Sequence, residues 1–471
     1  MILNEEDTMF FGRESELQKL NALYLQESFQ FAVFYGRRRV GKTTLITKFC
    51  EDKKTVYFMA AEGTAKENLE YFSKAVWDVF MPEKNMPSFG SFEELLEFLD
   101  SCGNEQFVLA IDEYPYLAES YPAISSLLQK HIDHKWKNGK IMLILCGSSM
   151  SFMENQVLGY KSPLYGRRTA QFKIQPFTFF EFQEYSMGHN IEDMAVLYGI
   201  TGGIPEYISR IRPELSLEEN IRQLYFDPSG RMFEEPSNLM KQELRNPAIY
   251  HSVISAIASG NSRLNDIARK VGEENSACAN QLNALISLGL VKKEYPALEN
   301  ETGRKTIYRL EDPSFRFWYR FVGPNISNIM RGRGQEVLQK LVLPQISHYM
   351  GEVFENICLQ FLYEPRMTEK APFFYGNIGR WWGNNPVLKR QEEIDLMAGD
   401  KDNLLLGECK WNNQDISPVV LTDLLTQGDM FPQKNKYFYI FAKRNFSQAL
   451  EEQAKAMDNV YLYSLKDMAL R

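Results

Sequence analysis

Gly36-Arg37-Arg38-Arg39-Val40-Gly41-Lys42-Thr43-Thr44 sets two glycines, a lysine and a hydroxyl at the spacing G-x-x-x-x-G-K-[ST]. That is phosphate-binding chemistry. Glycines at both ends let the backbone turn tightly and aim successive N–H groups inward, forming a concave anion site. Lys42 is the residue type that reaches β- and γ-phosphates, and the Thr43 hydroxyl suits Mg²⁺. The flanks supply the context the pattern needs. Phe31-Ala32-Val33-Phe34-Tyr35 reads as a buried strand, and Leu45-Ile46-Thr47-Lys48-Phe49 as the start of a helix whose positive dipole end lies under the phosphates. Gly36 to Thr44 is therefore the expected nucleotide-phosphate loop.

Two further strands end in groups that fit the same chemistry. Phe107-Val108-Leu109-Ala110-Ile111 is apolar throughout, as a parallel strand buried on both faces requires, and Asp112 and Glu113 follow at its carboxyl end. There Asp112 is expected to hold Mg²⁺ and Glu113 to polarise the water attacking the γ-phosphate. Taken alone, a buried strand with a solvated acidic end fits this run equally well; the phosphate loop ahead of it tips the reading. Ile141-Met142-Leu143-Ile144-Leu145-Cys146 ends in Gly147-Ser148-Ser149. Arg167, in Pro163-Leu164-Tyr165-Gly166-Arg167-Arg168, is a candidate to stabilise transition-state charge. An arginine on a solvated strand edge reads as well, and action in trans requires a second copy of the chain.

A second constellation lies near the end of the chain. Ile394-Asp395-Leu396 and Gly407-Glu408-Cys409-Lys410 read as two strands around the polar turn Gly399-Asp400-Lys401-Asp402. Alternation along a strand puts Glu408 and Lys410 on one face. Asp395 on the neighbouring strand can then share a divalent ion with Glu408, and Lys410 can orient or deprotonate a water. Glu355, in a helix read as opening at Gly351, is a further candidate ligand. A surface hairpin whose Glu and Lys pair in solvent is the bland alternative.

The elements that must position these groups belong to a chain of 471 residues, enough for two to four domains. Apolar residues make up 44% and charged residues 24%, ordinary for a globular protein with sizeable cores. A net charge of −8 argues against a protein coated in nucleic acid, although a local basic face is compatible with it. The six cysteines are scattered without a C-x-x-C, so neither a zinc site nor a disulfide framework is signalled. The acidic start, Met1 to Asp7, lacks an apolar signal core, and no apolar run approaches the ~20 residues that cross a bilayer. A cytoplasmic location without membrane contact is expected.

Between the two constellations, residues 248–322 read as three short helices and a hairpin, Lys292-Lys293-Glu294-Tyr295 with Lys305-Thr306-Ile307-Tyr308-Arg309-Leu310 around Gly303. That order is a winged helix. Residues 261–310 carry eight basic against six acidic side chains, a charge of +2, and the expected recognition helix around 277–287 has no Lys or Arg. Duplex binding by phosphate neutralisation calls for more. An intramolecular lid is as compatible as a DNA reader. Residues 331–390 carry eight basic against five acidic side chains, a charge of +3, mildly favouring a phosphate-facing surface.

The ordered motifs from about 9 to 230 resemble the prokaryotic AAA-like ATPases often called archaeal-type ATPases, within the signal-transduction branch. The resemblance implies that Gly12-Arg13-Glu14 lies beside the adenine, with Arg13 a contact, and that Ser148 or Ser149 senses the γ-phosphate or orients the water. It also implies that Gly203-Ile204-Pro205 is an adenine-side lid motif containing Pro205. Glu355, Asp395, Glu408 and Lys410 resemble the PD-(D/E)XK nuclease fold and the poorly characterised domain fused to this ATPase group, in which Gly379-Arg380-Trp381-Trp382 recurs. Glu393 stands where the nuclease pattern has proline.

The expected architecture is α/β. A P-loop AAA-like ATPase core with a parallel sheet over 1–170 is followed by a helical lid over 171–245. A winged helix over 246–322 and a restriction-endonuclease-like α/β domain over 323–471 complete it. The expected function is ATP binding and hydrolysis coupled to the winged helix and a metal-dependent nuclease-like domain, with ATP and Mg²⁺ at the loop. A second Mg²⁺ or Mn²⁺ is expected at the C-terminal carboxylates, with DNA ahead of RNA as partner and a homo-oligomer compatible. The alternative is a nucleotide-controlled regulator that binds DNA or a protein without cutting.

Overall fold

Three uninterrupted apolar runs build the centre of the N-terminal half. In the computed structural model, which describes residues 10–185, 188–299, 305–385 and 389–469, they are β1 (Gln30–Tyr35), β3 (Phe107–Asp112) and β4 (Ile141–Gly147), each buried along its length. With β2 (Thr55–Met59) and β5 (Ala170–Lys173) they form one sheet in the order β2-β3-β4-β1-β5, every pair parallel. Helices on both faces explain why the central runs lack polar alternation. Phe31, Val33, Leu109, Ile111, Leu143 and Leu145 share a core with Phe72, Leu95, Leu96 and Leu128 from the covering helices.

Local sequence fixes where those helices start. The helix α1 (Glu14–Tyr24) precedes β1, and α2 (Lys42–Cys50) follows the phosphate loop. Thr64 and Glu67 form a capping box for α3 (Ala65–Phe80), and the Ser91 hydroxyl caps α4 (Phe92–Cys102). Next come α5 (Tyr114–Ser120) and α6 (Ile124–His134). The register Tyr35↔Gly147, Tyr35↔Lys173 and Met59↔Asp112 brings the carboxyl ends of all five strands to one edge. Ligands bind at that edge in open α/β sheets.

The chain divides into two units, Met1–Pro176 and Phe177–Arg471. The second contains three helices, Pro247–Ala258, Leu264–Val271 and Asn275–Ser287, followed by an antiparallel pair, β6 (Val291–Glu294) and β7 (Ile307–Leu310). The hairpin loop around Gly303 lies outside the described residues, as do Met1 to Asp7. The helix carrying Glu355 runs Ile346–Tyr363, so it starts five residues before the expected Gly351.

A second, mixed sheet closes the unit: β8 (Gly379–Asn385), β9 (Arg390–Gly399), β10 (Asn403–Lys410), β11 (Asn435–Ala442) and β12 (Val460–Ser464), ordered β12-β11-β10-β9-β8. The β8, β9 and β10 strands run antiparallel, and β10, β11 and β12 parallel. Leu421 and Leu424 pack with Ile394, Leu406 and Ile440 in one core, which also takes in Ala297 from beyond β6. Phe354 packs its ring against Trp411, and Phe361 against Tyr463. Among the described residues no helix is long and apolar enough to cross a membrane.

Candidate nucleotide site and C-terminal carboxylate site

The loop from Gly36 to Gly41 leaves the carboxyl end of β1 and closes on α2. A Cβ at Gly36 would stand 2.3 Å from the Ile174 carbonyl oxygen, so only glycine lets the chain pass beside β5's continuation. Gly41 (φ 85°) and Arg39 (φ 71°) are left-handed, which turns consecutive amides toward the inside of the loop. Lys42 is buried, and its Nζ donates to the carbonyls of Gly36 at 2.8 Å and Arg37 at 2.9 Å. The ammonium is thus held across the cradle. Val40 is buried, while Thr43 and Thr44 are exposed on the first turn of α2. Arg13 is 6% exposed and donates to the carbonyls of Val40 at 3.4 Å and Gln175, bracing the loop from outside. Arg38 donates to the Tyr116 hydroxyl at 3.1 Å.

Asp112 meets this loop directly. Thr43 Oγ1 donates to Asp112 Oδ2 at 2.7 Å, and the Tyr57 hydroxyl donates to the same oxygen at 2.7 Å. The other oxygen accepts the Glu113 N–H at 2.8 Å. A carboxylate ordered by three donors beside a threonine hydroxyl is a donor set that fits Mg²⁺, a hard cation that takes oxygen ligands. Tyr57, at the middle of β2, was not singled out by motif; a tyrosine among apolar neighbours on a strand next to the Asp112 strand was the available signal. Burial and then the Asp112 charge push its phenol pKa up.

Glu113 takes a left-handed conformation (φ 48°) as β3 turns into α5, a strained backbone for a non-glycine residue. That turn separates the two acidic side chains, and Glu113 Oε2 accepts the Ser148 hydroxyl at 3.0 Å. Ser148 comes from the end of β4, so three strand ends, β1, β3 and β4, converge on one set of groups.

Arg167 is placed otherwise. Its Nε and NH2 form a bidentate pair with Asp133 of α6 at 2.9 and 2.6 Å, and NH1 donates to the Pro163 and Tyr165 carbonyls at 2.8 and 3.1 Å. The hydrogen bond from Arg167 holds the Asp133 carboxyl below its usual pKa. Arg167 therefore closes its own turn in the first unit, and no described contact joins it to Lys42, Asp112 or Glu113. Pro205 belongs to the second unit, in the first turn of the helix Pro205–Ile208.

The C-terminal carboxylates are gathered around Asp395. Its Oδ2 accepts the Cys409 N–H at 2.8 Å, tying β9 to β10 where their regular pairing stops. Burial raises the Asp395 pKa. Burial followed by the Asp395 charge raises Glu355 to about 8 and Glu408 to about 7. Lys410 hydrogen-bonds Glu408 on the same strand, as alternation requires. Glu355 and Asp395 face a cavity of about 510 Å³ that Glu408 and Lys410 do not line. Among the described residues no group of three His, Cys, Asp or Glu is arranged to hold a metal ion. The Asp395 charge acts on both Glu355 and Glu408.

The family described as an ATPase domain predominantly from Archaea matches residues 10–211, and a family of archaeal and bacterial proteins of unknown function matches residues 318–420. An uncharacterised protein of Methanocaldococcus jannaschii, MJECL04, is 32% identical over 470 residues, covering 98% of this chain and 100% of that protein. The chain belongs to this archaeal-type ATPase family. The archaeal-type ATPase also resembles an uncharacterised ATP-binding protein of the same organism, MJ0423, with 48% identity over 46 residues, 10% of this chain and 78% of the relative. Among solved structures, the Walker-type ATPase PABY2304 of Pyrococcus abyssi shares the fold with a TM-score of 0.50 at 20% identity, over 66% of this chain and 96% of that one. The α/β fold, with a parallel sheet of the P-loop ATPase kind and a separate mixed-sheet domain, is thereby established.

Proposed function

We propose that the chain binds Mg·ATP at the carboxyl edge of the first sheet and hydrolyses it. The observation that carries this reading is the 2.7 Å hydrogen bond from Thr43 to Asp112, which joins the phosphate loop to the acidic strand end. In this reading the loop amides and Lys42 hold the triphosphate, and Thr43 and Asp112 hold Mg²⁺, which neutralises phosphate charge when bound. Arg13 braces the loop on the adenine side, as the family resemblance implies. Glu113, steadied by Ser148, orients the attacking water and accepts its proton. Arg167 acts only after leaving Asp133, and Pro205 acts from the helical segment over 171–245. In Glu113→Gln, ATP affinity is expected to stay within a few-fold while single-turnover hydrolysis falls by about 10²–10⁴. Hydrolysis at the wild-type rate in that variant would remove Glu113 from its role.

We further propose that nucleotide state governs the second unit, and that the chain works in the cytoplasm, where its six cysteines stay reduced. The three helices and the β6–β7 hairpin are read as a winged helix over 246–322, and residues 323–471 as a nuclease-like domain. In the cutting reading, Asp395, Glu408 and Glu355, which form no preset metal-binding group among the described residues, would have to close around a divalent ion, and Lys410 would orient water for phosphodiester cleavage, with DNA the first candidate. What supports it is the presence of Asp395 close enough to Glu355 and Glu408 for its charge to add to burial in raising both pKa values. The non-cutting reading is favoured by two observations. The Glu408–Lys410 pair is self-satisfied, and the helix Asn275–Ser287 carries no cationic side chain. Mn²⁺-dependent cleavage of DNA that disappears in Asp395→Ala decides for cutting. Salt-sensitive DNA binding without products in any nucleotide state decides for a regulator.

A further inference from the structure

Three arginines, Arg309, Arg316 and Arg380, gather at the cavity beside Asp395, among the carboxylates of Glu294, Glu311, Glu352 and Glu355. Glu352 takes Arg316 NH1 on Oε1 at 2.5 Å and Arg309 NH2 on Oε2 at 2.7 Å. Arg380, on β8, pairs with Glu393, and its Nε lies 3.5 Å from Glu355. Arg316 Nε and Arg380 Nε are buried with no hydrogen-bond partner among the described residues, and so is Arg309 NH1, which lies 3.9 Å from Glu294 Oε2, itself an unmatched acceptor. Buried donors are almost always matched in folded proteins, so the unmatched nitrogens of Arg316 and Arg380 leave a place for a further acceptor.

All three arginines line the 510 Å³ cavity and also an adjoining cavity of about 330 Å³. The smaller cavity adds Arg320, giving it four guanidinium groups against the single carboxylate of Glu352. Burial and then the nearby Arg316 charge lower the Arg320 pKa, whereas at Arg309 and Arg316 burial is outweighed by the surrounding groups, the Glu352 charge foremost, which raise theirs. Both volumes fall within the range of small-molecule sites. Guanidinium forks match phosphate oxygens, and a terminal phosphate brings up to two negative charges and three strong acceptors.

We propose that these cavities form a binding site for a phosphate-bearing small molecule of mononucleotide size, separate from the phosphate loop. Its phosphate is seated by Arg309, Arg316, Arg320 and Arg380. Because Arg309 lies on β7 and Arg380 on β8, an occupant bridges the hairpin and the C-terminal sheet.

The test uses the full chain carrying Lys42→Ala, which disables the loop, titrated with inorganic pyrophosphate and with AMP by calorimetry. Saturable binding is expected, weakened at least about tenfold by Arg316→Gln and by Arg320→Gln, in line with loss of a charged hydrogen bond. Arg320→Gln leaves the Glu352 ion pairs in place, so it decides the matter should Arg316→Gln fail to fold. Absence of saturable binding overturns the proposal, and so does affinity undiminished by Arg320→Gln. Binding of a 5′-phosphorylated oligonucleotide without binding of AMP or pyrophosphate also overturns it, assigning the arginines to a nucleic-acid end instead.

Discussion

Replacing Glu355 by Gln removes the charge that the second unit is least able to hold. The carboxyl is one-fifth exposed, and burial together with Asp395 raises its pKa from 4.5 to about 8. Between those values the folded chain keeps a proton that the unfolded chain has released, so stability falls as pH rises. This contribution is complete below about pH 4.5 and is lost by about pH 8. At roughly 1.4 kcal/mol per pH unit, the interval bounds the loss at about 5 kcal/mol. Titration shared with Asp395 brings the expected figure to about 2–4 kcal/mol. Glu355→Gln carries no charge at any pH, so the two proteins should differ little near pH 5. Near pH 8.5 the variant should be the more stable, with a midpoint about 4–8 °C higher at ~2 °C per kcal/mol for a large unit. Thermal unfolding followed by circular dichroism at the two pH values measures it. An equal midpoint difference at both, or a wild type that gains on the variant as pH rises, refutes the reasoning.

Glu408→Gln should show the same pH-dependent gain at smaller amplitude, because its pKa is raised only to about 7 and Lys410 offsets part of the burial cost; a larger gain than at Glu355 would reverse the order of the two sites. Gly36→Ala should cost about 1–3 kcal/mol of stability, through the clash with the Ile174 carbonyl, and weaken ATP binding. Denaturant unfolding and nucleotide titration check it, and a variant with native stability and affinity contradicts the tight passage beside Ile174.

The parts of the molecule that could be read from sequence are those where one local pattern serves one purpose. A buried parallel strand must be apolar on both faces, and a phosphate loop must have glycine at its turns, so β1, β3, β4 and the loop between β1 and α2 were legible. The meeting of Thr43 with Asp112 followed from placing both at strand ends of one sheet. Other features depend on partners distant in sequence. The β5 strand has four residues and a mostly exposed pattern, too short to announce itself. Arg167 looked available for a phosphate until Asp133, 34 residues away, was seen to hold it. In the second unit, Ala297 sits in the core of the C-terminal sheet through a hydrogen bond to the Arg380 carbonyl, a junction no local period encodes. The carboxylates around Asp395 were named from spacing, but spacing did not reveal that Glu355 and Asp395 line a cavity that Glu408 does not. Nor did it reveal the arginine-lined cavities, whose members come from β7, β8 and the helices between them.

The central claim is that the loop ending in Lys42 grips a triphosphate together with Asp112. Calorimetric titration of Mg·ATP into wild type and Lys42→Ala tests it most directly. One Mg·ATP is expected to bind wild type, with affinity at least about tenfold lower in the variant, the loss of one charged donor to phosphate. Equal affinity in the two proteins would contradict the account.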